Sequence, residues 1–367
     1  MQVSKFESIK NSLKKIPGLW FLEEDKLNIN SIKSLYNFLD NINRRNKNFL
    51  GSDIKPLEIN YNNSIFHFLI YYCYYPKIPF VFIYKDVIIF GHFDEKKKDT
   101  LTISFSNYSN IKTCFETLDY LFSNKYFKKI LDENKINSLL LRDIDDNFVN
   151  FLKENKQLLA YDIDSMKELY YRFYDLKETV KLKGNDFSNL RWHLNCFKKQ
   201  NHDIEIVDLK NNVKSVIHFI GKWRSNAINN RNFSFIDVRS DKMGAKIFGC
   251  EIYKSNKFFD EYNTIIHPNN VISRVLKING KVSAFNLGFA LGIFNKKNVF
   301  AHVIGLSDIS ISHLSEFAQY DFWENVFNNG YEFVNDGPSW RSNLTFYKDK
   351  FRPFDKKRFY WANIKIK

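Results

Sequence analysis

The hydrophobic pattern of the first half alternates between strand-like and helical periods. Apolar alternation and short apolar runs predict strands, while apolar residues at spacings of three and four predict helices. The resulting order ends as β-β-β-α-β-α-β. The strands are expected over 80–84, 87–93, 100–105, 137–141 and 158–163, and the helices over 31–50, 111–123 and 146–154.

The second half repeats nearly the same order. A strand, two helices and three strands precede a final helix-strand-helix-strand series, and Asn279-Gly280 predicts a tight hairpin. This repetition indicates a duplicated fold, with an N-terminal domain over 1–165, a connector with its own helix over 166–200, and a C-terminal domain over 201–367. The strands are expected over 202–209, 271–278, 281–290, 298–306, 331–334 and 358–366, and the helices over 213–228, 242–259, 312–329 and from 339 onward.

The stretch from Tyr331 to Pro353 carries the candidate chemistry. A short strand is followed by Asn335-Asp336-Gly337-Pro338, and a helix is predicted from Ser339. Arg341 and Lys348 would lie near Asp336 and near the free N–H groups of the helix start, an arrangement that suits an acidic or phosphate-bearing ligand. The alternative interpretation is a strand–turn–helix corner with solvated cations.

Composition supports a globular protein with an anionic partner. The chain has 367 residues, of which 44% are hydrophobic and 17% aromatic, and its net charge is +14. That charge suits tRNA or peripheral contact with an anionic membrane. Because the lysines are spread along the chain without a basic tail, the charge alone does not select the partner.

Several classes of protein are disfavoured. The four cysteines form no CxxC pair, and no signal peptide or transmembrane segment is recognised, so we expect a cytoplasmic protein. The eight histidines show no HxxxH or HxH spacing, and we therefore predict no metal site. Walker, GxSxG and GxGxxG motifs before a helix are also missing from the sequence.

A series of motifs in the second half resembles a known family. Tyr171-x-x-Tyr174, Leu182-Lys183-Gly184-x-x-Phe187 and Arg191-x-His193-x-Asn195-x-Phe197 come first. They are followed by Lys222-Trp223, the hairpin over 275–289, the strand ending at Asp336, and Leu344-x-x-x-Lys348-x-x-Phe351-x-Pro353. In this order they resemble the C-terminal domain of phosphatidylglycerol lysyltransferases, over roughly residues 160–353.

The resemblance implies a fold and an activity. The expected fold is α/β (α+β), a tandem duplicated GNAT-like fold in which each half is a mixed, mostly antiparallel sheet flanked by helices. The implied activity is transfer of an aminoacyl group from aminoacyl-tRNA to a lipid or small-molecule acceptor, without a cofactor. Arg191, Asn195, Asp336 and Lys348 are at matching or nearly matching positions.

The sequence also departs from the family pattern. Trp192 and Thr345 replace the usual Asn and Arg, so Arg341 would have to stand in for the latter. Acetyl-CoA enzymes of this fold carry a Gly-rich turn after the fourth strand, whereas this chain has Gly305-Leu306-Ser307-Asp308 there. Asp308 disfavours CoA phosphates, but an acyl-CoA N-acyltransferase and an inactive GNAT-like binding module both stay open as alternatives.

Aminoacyl transfer assigns a role to each candidate. The reaction needs a deprotonated acceptor, a stabilised carbonyl oxyanion and a proton for the leaving ribose oxygen. Asp336 would orient the donor's α-ammonium or the acceptor, while Lys348 and Arg341 would stabilise the oxyanion or the tRNA 3′-end phosphate. The substrate-contacting candidates, including Tyr347 and His302 as proton-transfer groups, are Arg191, Asn195, His302, Tyr347 and Asp308.

Overall fold

The structure is a computed structural model of the chain. It describes residues 5–23, 34–35, 38, 65–71, 73, 77–85, 87–94, 99–107, 111–155, 161–231, 239–249, 271–294, 297–339 and 342–366. The helix predicted over 31–50 lies almost entirely outside these residues, as does Arg341.

The chain divides into two compact units. The first comprises Met1–Leu169 together with Arg358–Lys367, and the second comprises Tyr170–Lys357. Residues 358–367, which the sequence analysis assigns to the C-terminal domain, therefore belong to the first unit, because the last strand pairs there through Ala362 and Leu141. Most of the expected connector, residues 170–200, belongs to the second unit.

The first unit is a sheet with helices packed on it. The described elements are α1 (Lys5–Leu13), β1 (Leu19–Phe21), α2 (Ile65–Tyr71), β2 (Lys77–Tyr84), β3 (Val87–Asp94), β4 (Thr100–Asn107), α3 (Ile111–Ser123), α4 (Lys125–Glu133), β5 (Ser138–Ile144), α5 (Asp146–Glu154), β6 (Tyr161–Asp175) and β12 (Asp355–Ile366). The strand order is β1-β2-β3-β4-β5-β12, followed by the start of β6. Strands β1 to β4 run antiparallel, whereas β4 and β5 are parallel.

Two local predictions for the first unit have different outcomes. The hairpin around Lys85 is confirmed, since Tyr84 pairs with Val87 and Lys85 adopts a left-handed φ of 53°. The hydrophobic segment over 65–84 predicts buried strands, but its residues 65–71 form the helix α2 instead. A run that is apolar except for His67 has no period that separates a buried strand from a buried helix, and here packing decides for the helix.

The second unit presents the candidate site. After β6 come α6 (Leu176–Lys181), a 3-10 turn (Asn185–Phe187), α7 (Ser188–Lys198), β7 (Ile204–Val207), α8 (Leu209–Arg231), α9 (Arg239–Gly249), β8 (Val271–Ile278), β9 (Lys281–Phe294), β10 (Lys297–Ser307), α10 (Leu314–Asn328), β11 (Phe333–Pro338) and α11 (Ser342–Asp349). The strand order is β6-β11-β10-β9-β8-β7. Strands β10 and β11 are parallel, whereas β7 to β10 are antiparallel.

The core of the second unit forms around α10. The indole of Trp323 is fully buried, with its ring centroid 4.6 Å from that of Tyr174 and 4.9 Å from that of Phe351. Leu190 and Leu194, the predicted apolar stripe of α7, belong to the same cluster of buried side chains. Aromatic burial of this kind stabilises the fold and holds α7, α10 and α11 in a fixed relation to one another.

Turn chemistry places the strand ends. Asn279 and Gly280 have φ of 51° and 73°, which confirms the predicted hairpin between β8 and β9. The predicted break at 335–338 is wrong in one respect: these residues are the last four of β11, and α11 begins at Ser342 instead of Ser339. Proline is tolerated there because the pairing of β11 with β6 is irregular between Asn335 and Pro338.

Candidate active site

The candidate site lies where two parallel strands stop pairing. The last paired residues of β10 and β11 are Ala301 and Asn335, and the next residue of each strand is His302 and Asp336. Both strands are irregular at this point. The register of β10 against β9 shifts between His302 and Ile304, and that of β11 against β6 shifts between Asn335 and Pro338. Such bulges re-aim side chains, here toward each other.

Local sequence explains the irregularity in β11. Gly337 has a φ of 62°, which favours glycine, and its N–H donates to the side-chain oxygen of Asn335 at 2.8 Å. The chain therefore makes a tight turn around Asp336 and leaves its carboxylate buried, with 7% of the residue exposed. Asp336 is thus a strand residue held in a bulge.

Asp336 pairs with two cationic or ionisable side chains. His302 Nδ1 lies 3.2 Å from Asp336 Oδ1, and Lys348 Nζ lies 3.4 Å from Oδ2. Burial raises the pKa of Asp336, but the charges and hydrogen bonds of Lys348 and His302 outweigh it, so that this pKa is below its usual value. Asp336 is therefore a carboxylate at neutral pH.

Among the described residues, the partners of the Lys348 ammonium are oxygen atoms. Its ammonium donates to the backbone oxygen of Asp336, lies 3.5 Å from that of Pro338, and faces Oδ2 of Asp336. Burial lowers the pKa of Lys348, and the charge of Asp336 counteracts the shift without cancelling it. Two backbone oxygens accept hydrogen bonds from the ammonium and the carboxylate supplies the counter-charge, so we take the pair to be charged.

One carboxylate oxygen has spare capacity to accept hydrogen bonds. Asp336 Oδ2 is buried and receives no hydrogen bond from any residue that the structure describes, because Lys348 at 3.4 Å makes only an ion pair with it. A buried, ionised oxygen without a hydrogen-bond donor raises the free energy of the folded protein unless a further donor reaches it. Oδ2 can accordingly accept a further hydrogen bond from a donor that reaches it.

His302 has one nitrogen that is fixed and one that can change partner. Nε2 lies 3.1 Å from both Asn286 Oδ1 and the backbone oxygen of Ile304, two acceptors, so Nε2 carries a proton. Nδ1 lies 3.2 Å from both the indole nitrogen of Trp323 and Asp336 Oδ1. A neutral ring accepts from Trp323, whereas a protonated ring donates to Asp336, so His302 can exchange a proton with the carboxylate.

Arg172 and Tyr174 of β6 anchor the end of α11 that carries Lys348. Arg172 is buried, and its guanidinium donates to Asp349 Oδ1 at 2.8 Å and to Ser339 Oγ at 2.7 Å. The hydroxyl of Tyr174 donates to the backbone oxygen of Lys348 at 3.0 Å. These contacts position Lys348 without touching its ammonium group.

Replacing Arg172 with Met should lower the free energy of unfolding by about 1.5–3 kcal/mol, the usual worth of hydrogen bonds to charged groups. The matched control is Lys356→Met, which removes the other cation on Asp349, at 3.2 Å and half-exposed, and should cost about 1 kcal/mol or less. Urea unfolding of both variants measures the difference. Equal losses would show that Arg172 does not anchor α11.

The remaining predicted residues lie apart from this cluster or are engaged elsewhere. Arg191 donates to the backbone oxygens of Leu182 and Gly184, so it ties down the loop after α6, and Asn195 is exposed on α7. The hydroxyl of Tyr347 donates to the backbone oxygen of Ser315 at 2.9 Å. Burial, with the charges of Glu316 and Asp336, raises the pKa of Tyr347 well above its usual value, which keeps this phenol neutral.

Asp308 closes the loop after β10. Its Oδ1 accepts from the backbone N–H of Ser310 at 3.0 Å and from the Ser310 hydroxyl at 2.7 Å. The same loop borders an open cleft of about 950 Å³, whose other walls are α8 and the turn between β8 and β9. The cleft is rich in lysine and suits an anionic ligand; its basic side chains are Lys214, His218, Lys222, Lys277 and Lys281.

Sequence reasoning missed the groups that surround His302. Asn286 and Trp323 are 16 and 21 residues away from it along the chain. No short motif joins them, although a strand asparagine in an otherwise apolar run, as in Ala284–Gly288, is the kind of signal that marks a buried polar partner.

Among the described residues, no helix is long and apolar enough to cross a bilayer.

These features define a mixed α/β protein with a GNAT-like fold. From β7 onward, the described elements of the second unit follow the predicted order β-α-α-β-β-β-α-β-α, and the parallel pair of β10 and β11 has a polar site where it separates. No protein-family model matches the sequence, and no curated protein matches it either.

Solved structures with a similar fold are known. A conserved protein of unknown function from Bacteroides thetaiotaomicron is 16% identical, with 94% of this chain and 99% of that chain covered at a TM-score of 0.58. L-PGS from Bacillus licheniformis is 11% identical, with 79% of this chain and 84% of that chain covered at a TM-score of 0.46. A tandem GNAT protein from the clavulanic acid biosynthesis pathway is 7% identical, with 95% of this chain and 99% of that chain covered at a TM-score of 0.46. At these identities the likeness concerns the fold alone.

Proposed function

We propose that the second unit is the catalytic domain of an aminoacyltransferase, which moves an aminoacyl group from aminoacyl-tRNA to a hydroxyl group of a lipid or small molecule. The observation that carries the proposal is the buried carboxylate of Asp336, kept ionised by Lys348 and with Oδ2 free of hydrogen bonds from the described residues. An aminoacyl ester differs from other acyl donors by its α-ammonium group, and a buried carboxylate is the group that recognises an ammonium.

The chemistry balances without a cofactor. The acceptor oxygen bonds to the aminoacyl carbonyl carbon, the ester bond to the ribose breaks, and the acceptor's proton ends on the released ribose hydroxyl. In our proposal Asp336 holds the α-ammonium, while Lys348 keeps Asp336 ionised and adds positive charge near the developing oxyanion. His302, whose Nδ1 lies 3.2 Å from Asp336 Oδ1, is the proposed proton-transfer group of the cluster.

The lysine-rich cleft supports an anionic donor or acceptor. A tRNA 3′ end and an anionic phospholipid both carry phosphates, and four lysines with one aspartate line the cleft. The same cleft favours one alternative, an acyl-CoA donor, since it borders the loop after β10 where enzymes of this fold place the CoA phosphates. The inactive binding module would use the cleft without chemistry.

Label transfer separates these possibilities. Purified protein is offered tRNA charged with a mixture of radioactive amino acids, with cell lipids or small-molecule extracts as acceptors, and with labelled acetyl-CoA as the parallel donor. We expect label to leave tRNA for a lipid or metabolite. Transfer from acetyl-CoA alone would replace the proposal by the acyl-CoA alternative, and binding of tRNA or lipid without transfer would favour the inactive module.

A further inference from the structure

A second polar cluster lies at the start of α10, apart from Asp336. His193 comes from α7, His313 precedes α10, and Glu316 lies in its first turn. His193 Nδ1 is 2.8 Å from His313 Nδ1 and 3.7 Å from Glu316 Oε1. One donor atom from each residue falls within 4.8 Å of the other two. Glu316 is buried and His193 is mostly buried, so the cluster is more than a chance meeting of surface side chains.

The backbone of His313 is unusual. Its φ of 63° is left-handed, a conformation that disfavours residues with a Cβ atom and that glycine or asparagine commonly fills. His313 occupies the N-cap position of α10, yet its side chain makes no capping hydrogen bond and faces His193 instead. Local helix capping therefore does not explain the side chain of His313, which contacts His193 instead.

We propose that His193, His313 and Glu316 form a binding site for a divalent transition metal ion, for which Zn²⁺ is the best match. Two imidazoles and one carboxylate are a donor set that binds Zn²⁺ with a fourth position open. Bond lengths of about 2.0–2.1 Å in a tetrahedral site place two ligand nitrogens roughly 3.3 Å apart, so the Nδ1 atoms need to separate by only about half an ångström.

Proton chemistry accompanies this binding. With two Nδ1 atoms at 2.8 Å, one imidazole donates its N–H to the other. A metal ion that binds both Nδ1 atoms needs both rings neutral and in the tautomer that carries its proton on Nε2, so the Nδ1 proton must move to Nε2.

Lys350 occupies part of the site in the present structure. Its ammonium donates to Glu316 Oε1 at 2.7 Å, where it supplies the positive charge that a metal ion would otherwise bring. Metal and Lys350 therefore compete for the same carboxylate. Replacing Lys350 with Met should tighten metal binding, whereas most substitutions next to a site weaken it.

The direct test is metal titration of a protein without a polyhistidine tag. We expect one Zn²⁺ per chain by metal analysis after dialysis, and Co²⁺ should give the visible absorption of a site with nitrogen and oxygen ligands. His193→Ala and Glu316→Gln should each weaken metal binding by at least about tenfold. Even the loss of a residue that only contacts a metal ligand lowers metal affinity by about that factor. His218→Ala, an exposed histidine outside the cluster, is the matched control and should bind normally.

His313→Gly keeps the test independent of folding. Glycine suits the left-handed backbone, so this variant should be at least as stable as the wild type while it loses the metal. Quenching of Trp192 by Cu²⁺ adds a local signal, because its exposed ring lies 4.9 Å from His193 and 5.1 Å from His313. Equal metal binding by His313→Gly and the wild type, or no stoichiometric binding by the wild type, would overturn the proposal. A wild-type protein that binds the metal ion but transfers no aminoacyl group would instead count against the function proposed for Asp336.

Discussion

Asp336→Asn is expected to reduce aminoacyl transfer by at least about a hundredfold, the scale on which removal of one buried electrostatic or acid–base group acts. Asparagine keeps the shape of the side chain, and its amide can still accept from Lys348. It has no negative charge to hold the α-ammonium of the donor, and its NH₂ would face either His302 Nδ1 or Lys348. The loss should therefore appear in kcat/KM for aminoacyl-tRNA.

The control for this variant is Asp203→Asn, which removes an exposed carboxylate from the same unit and should leave transfer unchanged. Circular dichroism and the melting temperature of each variant establish that the assay is run on folded protein. An Asp336→Asn enzyme with wild-type kcat/KM would show that this carboxylate does not bind the donor, even if the chain proved to be an acyltransferase.

The parts of the fold that the sequence predicts well are those with a local cause. The hairpin at Asn279-Gly280 follows from residues that accept a left-handed backbone, and the buried stripe of α7 follows from the spacing of Leu190 and Leu194. Asp336 and Lys348, 12 residues apart, come together because a strand end leads into a helix whose last turn packs back on it.

The failures have a non-local cause. β6 runs to Asp175, well beyond the predicted end at residue 163, because its later residues pair with β11 across more than 150 positions of sequence. Likewise, His193 and His313 are separated by 120 residues and come from different elements, so no short spacing in the sequence predicts their contact. Arg191 stays a predicted substrate contact; its guanidinium donates to two backbone oxygens of the loop after α6.

Lys348→Met is expected to be the most destabilising change at the site, at about 3–5 kcal/mol, the usual loss when one partner of a buried ion pair is removed. Asp336 would remain buried without its strongest counter-charge, and the backbone oxygens of Asp336 and Pro338 would lose a donor. The loss should largely disappear in the double variant Asp336→Asn/Lys348→Met, which should be clearly more stable than Lys348→Met alone. Additive losses would mean that the two groups do not interact.

The pH dependence of this loss has a definite sign. In the wild type, the pKa of folded Asp336 is below that of the unfolded chain, about 3.9, so its carboxylate stabilises the fold above that pH and the contribution fades as pH falls. In Lys348→Met, burial is no longer opposed by Lys348, and the pKa of Asp336 should rise. Protonation then relieves the buried charge, so the stability gap between the two proteins should narrow as pH falls from 7 to about 4. Urea unfolding across this range measures it, and a constant gap would show that the carboxylate charge is not what Lys348 compensates.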